Sequence, residues 1–116
     1  MASIVFACKW FPIDQILKCS FDLSHTEMEI LKLLVRLGKE ADVNEILKYV
    51  EKDRTTIQRS MKSLVEKKLV NRRQINLKSG GYVFVYSAKS KEYIKEQIYK
   101  NFEKFREVIS NEIERW

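Results

Sequence analysis

The run Asp53-Arg54-Thr55-Thr56-Ile57-Gln58-Arg59-Ser60-Met61-Lys62-Ser63-Leu64-Val65-Glu66-Lys67-Lys68-Leu69-Val70 puts Ile57, Met61, Leu64 and Val65 at helical spacing. At about 100° per residue these four share one side of a helix, which is predicted over residues 54–67. Asp53 stands where an N-cap belongs. The opposite side holds Thr55, Arg59, Lys62, Ser63 and Glu66. Arg54, Thr56 and Gln58 fall at the amino-terminal end and flanks.

Two further helices precede this one. Ser24-His25-Thr26-Glu27 reads as a capping box, in which the serine hydroxyl and the glutamate satisfy each other's backbone N–H. Met28, Ile30, Leu31, Leu33, Leu34, Val35 and Leu37 follow it, and Gly38 stops the helix. Asp42-Val43-Asn44-Glu45 reads as a second box opening a short helix, with Val43, Ile46, Leu47 and Val50 inward. Three capped helices joined by very short turns make a three-helix bundle, and the second and third have the layout of a helix-turn-helix.

Beyond Lys68 the period changes. Residues 69–77 and 82–88 flank Lys78-Ser79-Gly80-Gly81, and Tyr82-Val83-Phe84-Val85-Tyr86 is aromatic and β-branched. This predicts a hairpin whose glycines supply positive φ at the tip. A short strand near residues 39–41 is placed to pair with it. Residues 90–116 read as one long helix, with Ser90 as cap and a stripe of Ile94, Ile98, Phe102, Phe105, Ile109, Ile113 and Trp116. The steps of four and three keep one face. Their mean, about 3.67, suits a straight helix better than a left-handed coiled coil. Such a helix is roughly 38 Å long at 1.5 Å per residue, too long for a small domain to cover. The sequence therefore predicts an α+β, mostly α chain: a lead-in over 1–22 with a short helix beginning at Pro12, a winged helix-turn-helix over 23–89, and a dimerisation helix over 90–116. The lead-in residues Trp10, Phe11, Ile13 and Ile16 are expected to assist the dimer seam.

Charge locates the function. The 116 residues carry a net charge of +6 and are 45% hydrophobic and 33% charged, which fits one folded, polar-surfaced domain and excludes a disordered chain. Between Lys52 and Lys78 stand Lys52, Arg54, Arg59, Lys62, Lys67, Lys68, Arg72, Arg73 and Lys78, against only Asp53 and Glu66. That excess of seven exceeds the excess of the whole chain, so the helix at 54–67 and the hairpin carry all of it. A polyanion is the partner such a surface selects. The residue types are also those that read DNA: arginine pairs with guanine, glutamine with adenine, and threonine meets a methyl group or a phosphate.

The same run, with Gly80-Gly81-Tyr82-Val83-Phe84-Val85-Tyr86, resembles archaeal TrmB-like and MarR-like winged-helix regulators over roughly residues 20–90. The resemblance implies a homodimeric transcription factor on short inverted repeats of double-stranded DNA. It implies that Arg54, Thr55, Thr56, Gln58, Arg59 and Lys62 face the DNA, with Arg72, Arg73 and Lys78 on or near the wing. The 116 residues lack the large C-terminal sugar-binding domain of full-length TrmB regulators, so a sugar effector is not among the expectations.

Other readings have less to stand on. No enzyme is expected: there is no phosphate loop and no carboxylate pair in a pocket, and His25, the one histidine, sits at a helix start. No cofactor is expected. Cys8 and Cys19 lack a CxxC partner or a second histidine, so no metal is expected, and a redox switch through an intra- or intersubunit disulfide is the alternative. Phe102, Phe105 and Trp116 with Trp10 and Phe11 offer an effector pocket as the alternative to a dimer seam; the effector is unspecified. The apolar start, residues 1–8, is too short for a membrane span and lacks signal-peptide features, so a cytoplasmic protein is expected. Two competing functions remain: a weakly specific chromatin-type DNA-binding protein, and a winged helix used for protein–protein assembly.

Overall fold

The computed structural model describes residues 3–6 and 9–116. The chain forms two compact units, one from residues 24–91 and the other from the segments on either side of it.

The unit of residues 24–91 is a winged helix. Helix α2 (His25–Leu37) opens on the full capping box, with Glu27 N donating to Ser24 Oγ and Ser24 N to Glu27 Oε1, both at 3.1 Å. It ends at Gly38, whose φ of 63° is the left-handed conformation glycine takes without strain. Helix α3 (Val43–Leu47) is half-boxed. Asp42 Oδ1 accepts from Glu45 N at 2.8 Å, but Glu45 turns outward to Lys48 instead of reaching back. Helix α4 (Arg54–Glu66) begins after Asp53, whose carboxylate accepts from the Thr56 hydroxyl and makes no cap bond to the backbone.

Helix α4 closes on a Schellman turn. Leu69 N donates to Leu64 O and Lys68 N to Val65 O, with Lys68 left-handed at φ 62°. Leu69 is fully buried beyond it, the apolar contact that accompanies this turn. Strands β3 (Val70–Asn76) and β4 (Tyr82–Ala88) pair antiparallel with Arg72 opposite Tyr86 and Gln74 opposite Phe84. Gly80 and Gly81 both have positive φ at the tip, as the turn requires. The expected third strand is a single bridge, Ala41 to Tyr86, with two backbone hydrogen bonds of 2.8 Å.

The core lies between α2, α3, α4 and the base of the wing. Ile30, Leu31, Leu34, Ile46, Ile57, Met61 and Leu64 are essentially inaccessible to solvent. Each such side chain contributes about 1.5–3 kcal/mol by burial. Ser60 joins the inward side of α4, a small residue that the apolar pattern did not reveal.

In the other unit, strands β1 (Ser3–Phe6) and β2 (Lys9–Pro12) form an antiparallel hairpin where only a short helix was expected. Ile4, Val5, Trp10 and Phe11 are strong strand formers, but the connection carries neither Gly nor Asn, the usual hairpin signal. Pro12 is the N-cap of helix α1 (Ile13–Phe21) and not its first residue. Helix α5 (Lys91–Arg115) is the long terminal helix. Within this unit Asn101 donates to the Ser20 carbonyl at 2.9 Å and to its hydroxyl at 3.0 Å.

Candidate nucleic-acid interface

Helix α4 places its polar residues by default: with Ile57, Ser60, Met61 and Leu64 buried and Ser63 and Val65 half-buried beside them, the opposite positions face water. Arg54, Thr55, Gln58, Arg59 and Lys62 are all exposed, and Thr56 is half-buried beside Asp53. The six helix residues expected to meet DNA therefore occupy the first two and a half turns of one element. Arg54 is not free-swinging, because its Nη2 donates to Asn44 Oδ1 on α3. Asn44 was missed in the sequence because its partner lies in another helix. The helix start also concentrates unpaired backbone N–H groups, which favour an anion.

The carboxyl-terminal half of α4 is fastened to α2. Ser63 Oγ and Lys67 Nζ donate to Glu27 Oε2 at 2.7 and 3.0 Å. Ser63 thus turns inward, where the helical projection had placed it outward. Burial raises the Glu27 pKa, but hydrogen bonds from Ser63, the Ser24 backbone and Lys67 outweigh it and hold the carboxyl below its ordinary value. Lys67, counted in the basic excess, is spent on this internal pair.

The wing separates its two arginines. Neighbouring side chains on a strand point to opposite faces. Arg72 lies over the Phe84 ring, 4.4 Å from guanidinium carbon to ring centre, while Tyr82 meets Phe84 edge-on at 5.2 Å. Arg73 is gripped by Glu40: Nε to Oε2 at 2.9 Å and Nη2 to Oε1 at 2.7 Å. Arg73 holds Glu40 below the usual carboxylate range, and Glu40 raises Arg73 in turn. Lys78 is exposed at the tip.

On α5 the expected seam splits. Ile98 is half-buried, whereas Phe102, Phe105, Ile109, Ile113 and Trp116 are exposed. Val108, which the stripe omitted, joins Ile109, Glu112, Ile113 and Trp116 around a shallow apolar groove. Cys19 is exposed with a free thiol, while Cys8 and the side chain of Trp10 lie outside the described residues. Among the described residues no three His, Cys, Asp or Glu gather as a metal site, and no helix is long and apolar enough to cross a membrane.

Comparison with known proteins fits this geometry. A possible transcriptional regulator from Methanosarcina mazei superposes with a TM-score of 0.90, at 33% identity over 99% of this chain and 97% of its own. The uncharacterized protein MJ1503 of Methanocaldococcus jannaschii is 29% identical over 94% of this chain and 79% of its own length. A MarR-family regulator from Enterococcus faecalis shares the fold at a TM-score of 0.56 and 10% identity, covering 87% of this chain and 88% of its own. Residues 17–92 match the family described as sugar-specific transcriptional regulator TrmB. The chain belongs to the TrmB family and is a winged-helix transcriptional regulator.

Proposed function

We propose that this regulator binds double-stranded DNA as a homodimer on an inverted-repeat site. Helix α4 enters the major groove, where Arg59 and Gln58 meet base edges and Arg54, Thr55, Thr56 and Lys62 fix the helix on the backbone and flanking bases. Arg72 and Lys78 carry the wing along a phosphate strand or the minor groove. The observation that carries the reading is the exposed row Arg54, Thr55, Gln58, Arg59 and Lys62 on a helix whose other side buries Ile57, Ser60, Met61 and Leu64. No catalytic role and no cofactor is part of the proposal.

The dimer rests on α5. Phe105 is 59% and Ile113 60% exposed, on a face that also presents Phe102, Ile109 and Trp116. A contiguous apolar face of this kind marks an association surface. A dimer with two-fold symmetry calls for an inverted-repeat site, whose half-sites one DNA turn apart would need the two α4 helices about 34–36 Å from each other.

The test is selection of bound duplexes from a random pool, followed by salt titration on the selected site and on random duplex. An inverted repeat, a steep salt dependence and a specific-over-random gap of about 10³ or more support the proposal. A steep salt dependence with no gap would replace it by a chromatin-type role. Absence of salt-dependent binding would favour a protein-assembly role.

A further inference from the structure

The Glu40–Arg73 pair is poorly explained by stability. Its side chains are 39% and 61% exposed, and ion pairs in water contribute little to folding. Its geometry is nevertheless specific. Two parallel hydrogen bonds occupy both carboxylate oxygens and two of the guanidinium nitrogens. The carboxylate is also fixed in place. Glu40 precedes Ala41, which exchanges two 2.8 Å backbone bonds with Tyr86 of β4. Arg73 stands opposite Val85, the residue before Tyr86, so both ends of the pair are anchored on the same strand. One of the two adjacent wing cations is thereby neutralised, while Arg72 keeps its charge over Phe84.

We infer that Glu40 sets the binding background of this regulator: it withholds Arg73 from DNA phosphate, which lowers the affinity for every duplex alike and leaves discrimination to helix α4. Each phosphate neutralised adds to affinity for every sequence alike, so an extra wing cation raises random binding without improving choice. Glu40 sets that background by claiming one cation in cis. The inference rests on the DNA-binding reading above.

The experiment measures Glu40→Gln, Arg73→Gln and the double variant on random duplex and on the selected site, across a range of salt. Glu40→Gln frees Arg73. Random-duplex affinity is expected to rise about eightfold at 0.1 M salt, and the salt slope to steepen by about 0.9, the effect of one added phosphate contact. Arg73→Gln is expected to leave the random-duplex slope unchanged, and the double variant to match it. A merely structural role for Glu40 would weaken binding and not steepen the slope. An Arg73→Gln variant whose slope fell by about one would overturn the inference, because Arg73 would then already touch phosphate. A Glu40→Gln variant with wild-type slope and affinity would also overturn it. Both results presuppose a wild-type chain that binds duplex; a wild type that does not would instead defeat the DNA-binding reading itself.

Discussion

Ser63 on α4 donates its hydroxyl to the Glu27 carboxylate on α2 at 2.7 Å, joining residues 36 apart in the chain. Lys67, one turn further on, reaches the same oxygen. Helix α4 is thus held from behind by a buried carboxylate, while Thr55, Gln58, Arg59 and Lys62 stay exposed on its front.

That relationship has a pH signature. The Glu27 carboxyl is held below its ordinary 4.5 in the folded state, so its ionisation stabilises the fold above that pH. The contribution is lost as pH falls below about 4.5 and through the folded value. Glu27→Ala should cost about 1–3 kcal/mol at pH 7, since it removes the acceptor of the Ser63 hydroxyl and one partner of the Lys67 ammonium. Urea unfolding of Glu27→Gln and wild type should show a difference that is full at pH 7 and shrinks on acidification.

Lys68 supplies a second test. It holds a left-handed φ of 62° at the end of α4, where a β-carbon is disfavoured. Lys68→Gly should stabilise the protein by about 0.5–1 kcal/mol, read as a raised unfolding midpoint. An unchanged or lowered midpoint would mean that the lysine side chain offsets the strain.

These two residues also mark what could and could not be read from the chain. The α4 helix, its inward side and the hairpin tip were legible because they depend on local period and turn chemistry: Ile57, Met61, Leu64, Gly80 and Gly81 announce themselves. Glu27 was legible as half of a capping box, but its bond to Ser63 depends on two helices meeting, and no local pattern encodes that. The Arg73–Glu40 and Arg54–Asn44 pairings were hidden for the same reason. The β1–β2 hairpin escaped because its connection carries no turn residue, although its strands are rich in strand formers.

The α5 face gives a third prediction. Phe105→Glu combined with Ile109→Glu puts two charges in the proposed seam. Light scattering should report a monomer, and affinity for the selected inverted repeat should fall about 100-fold or more as the second half-site is lost. Binding to a single half-site should change little. A double variant that stayed dimeric and bound normally would remove α5 from the interface.

If helix α4 reads DNA as proposed, Arg59, exposed on its solvent face, is the residue whose loss reports it. Arg59→Ala should weaken binding to the selected site by about 1–3 kcal/mol while binding to random duplex falls much less, so that discrimination drops with affinity. Fluorescence anisotropy on the two duplexes at matched salt measures both. A variant that kept wild-type affinity for the selected site, or lost equal affinity on both duplexes, would contradict a base-reading role for this helix face.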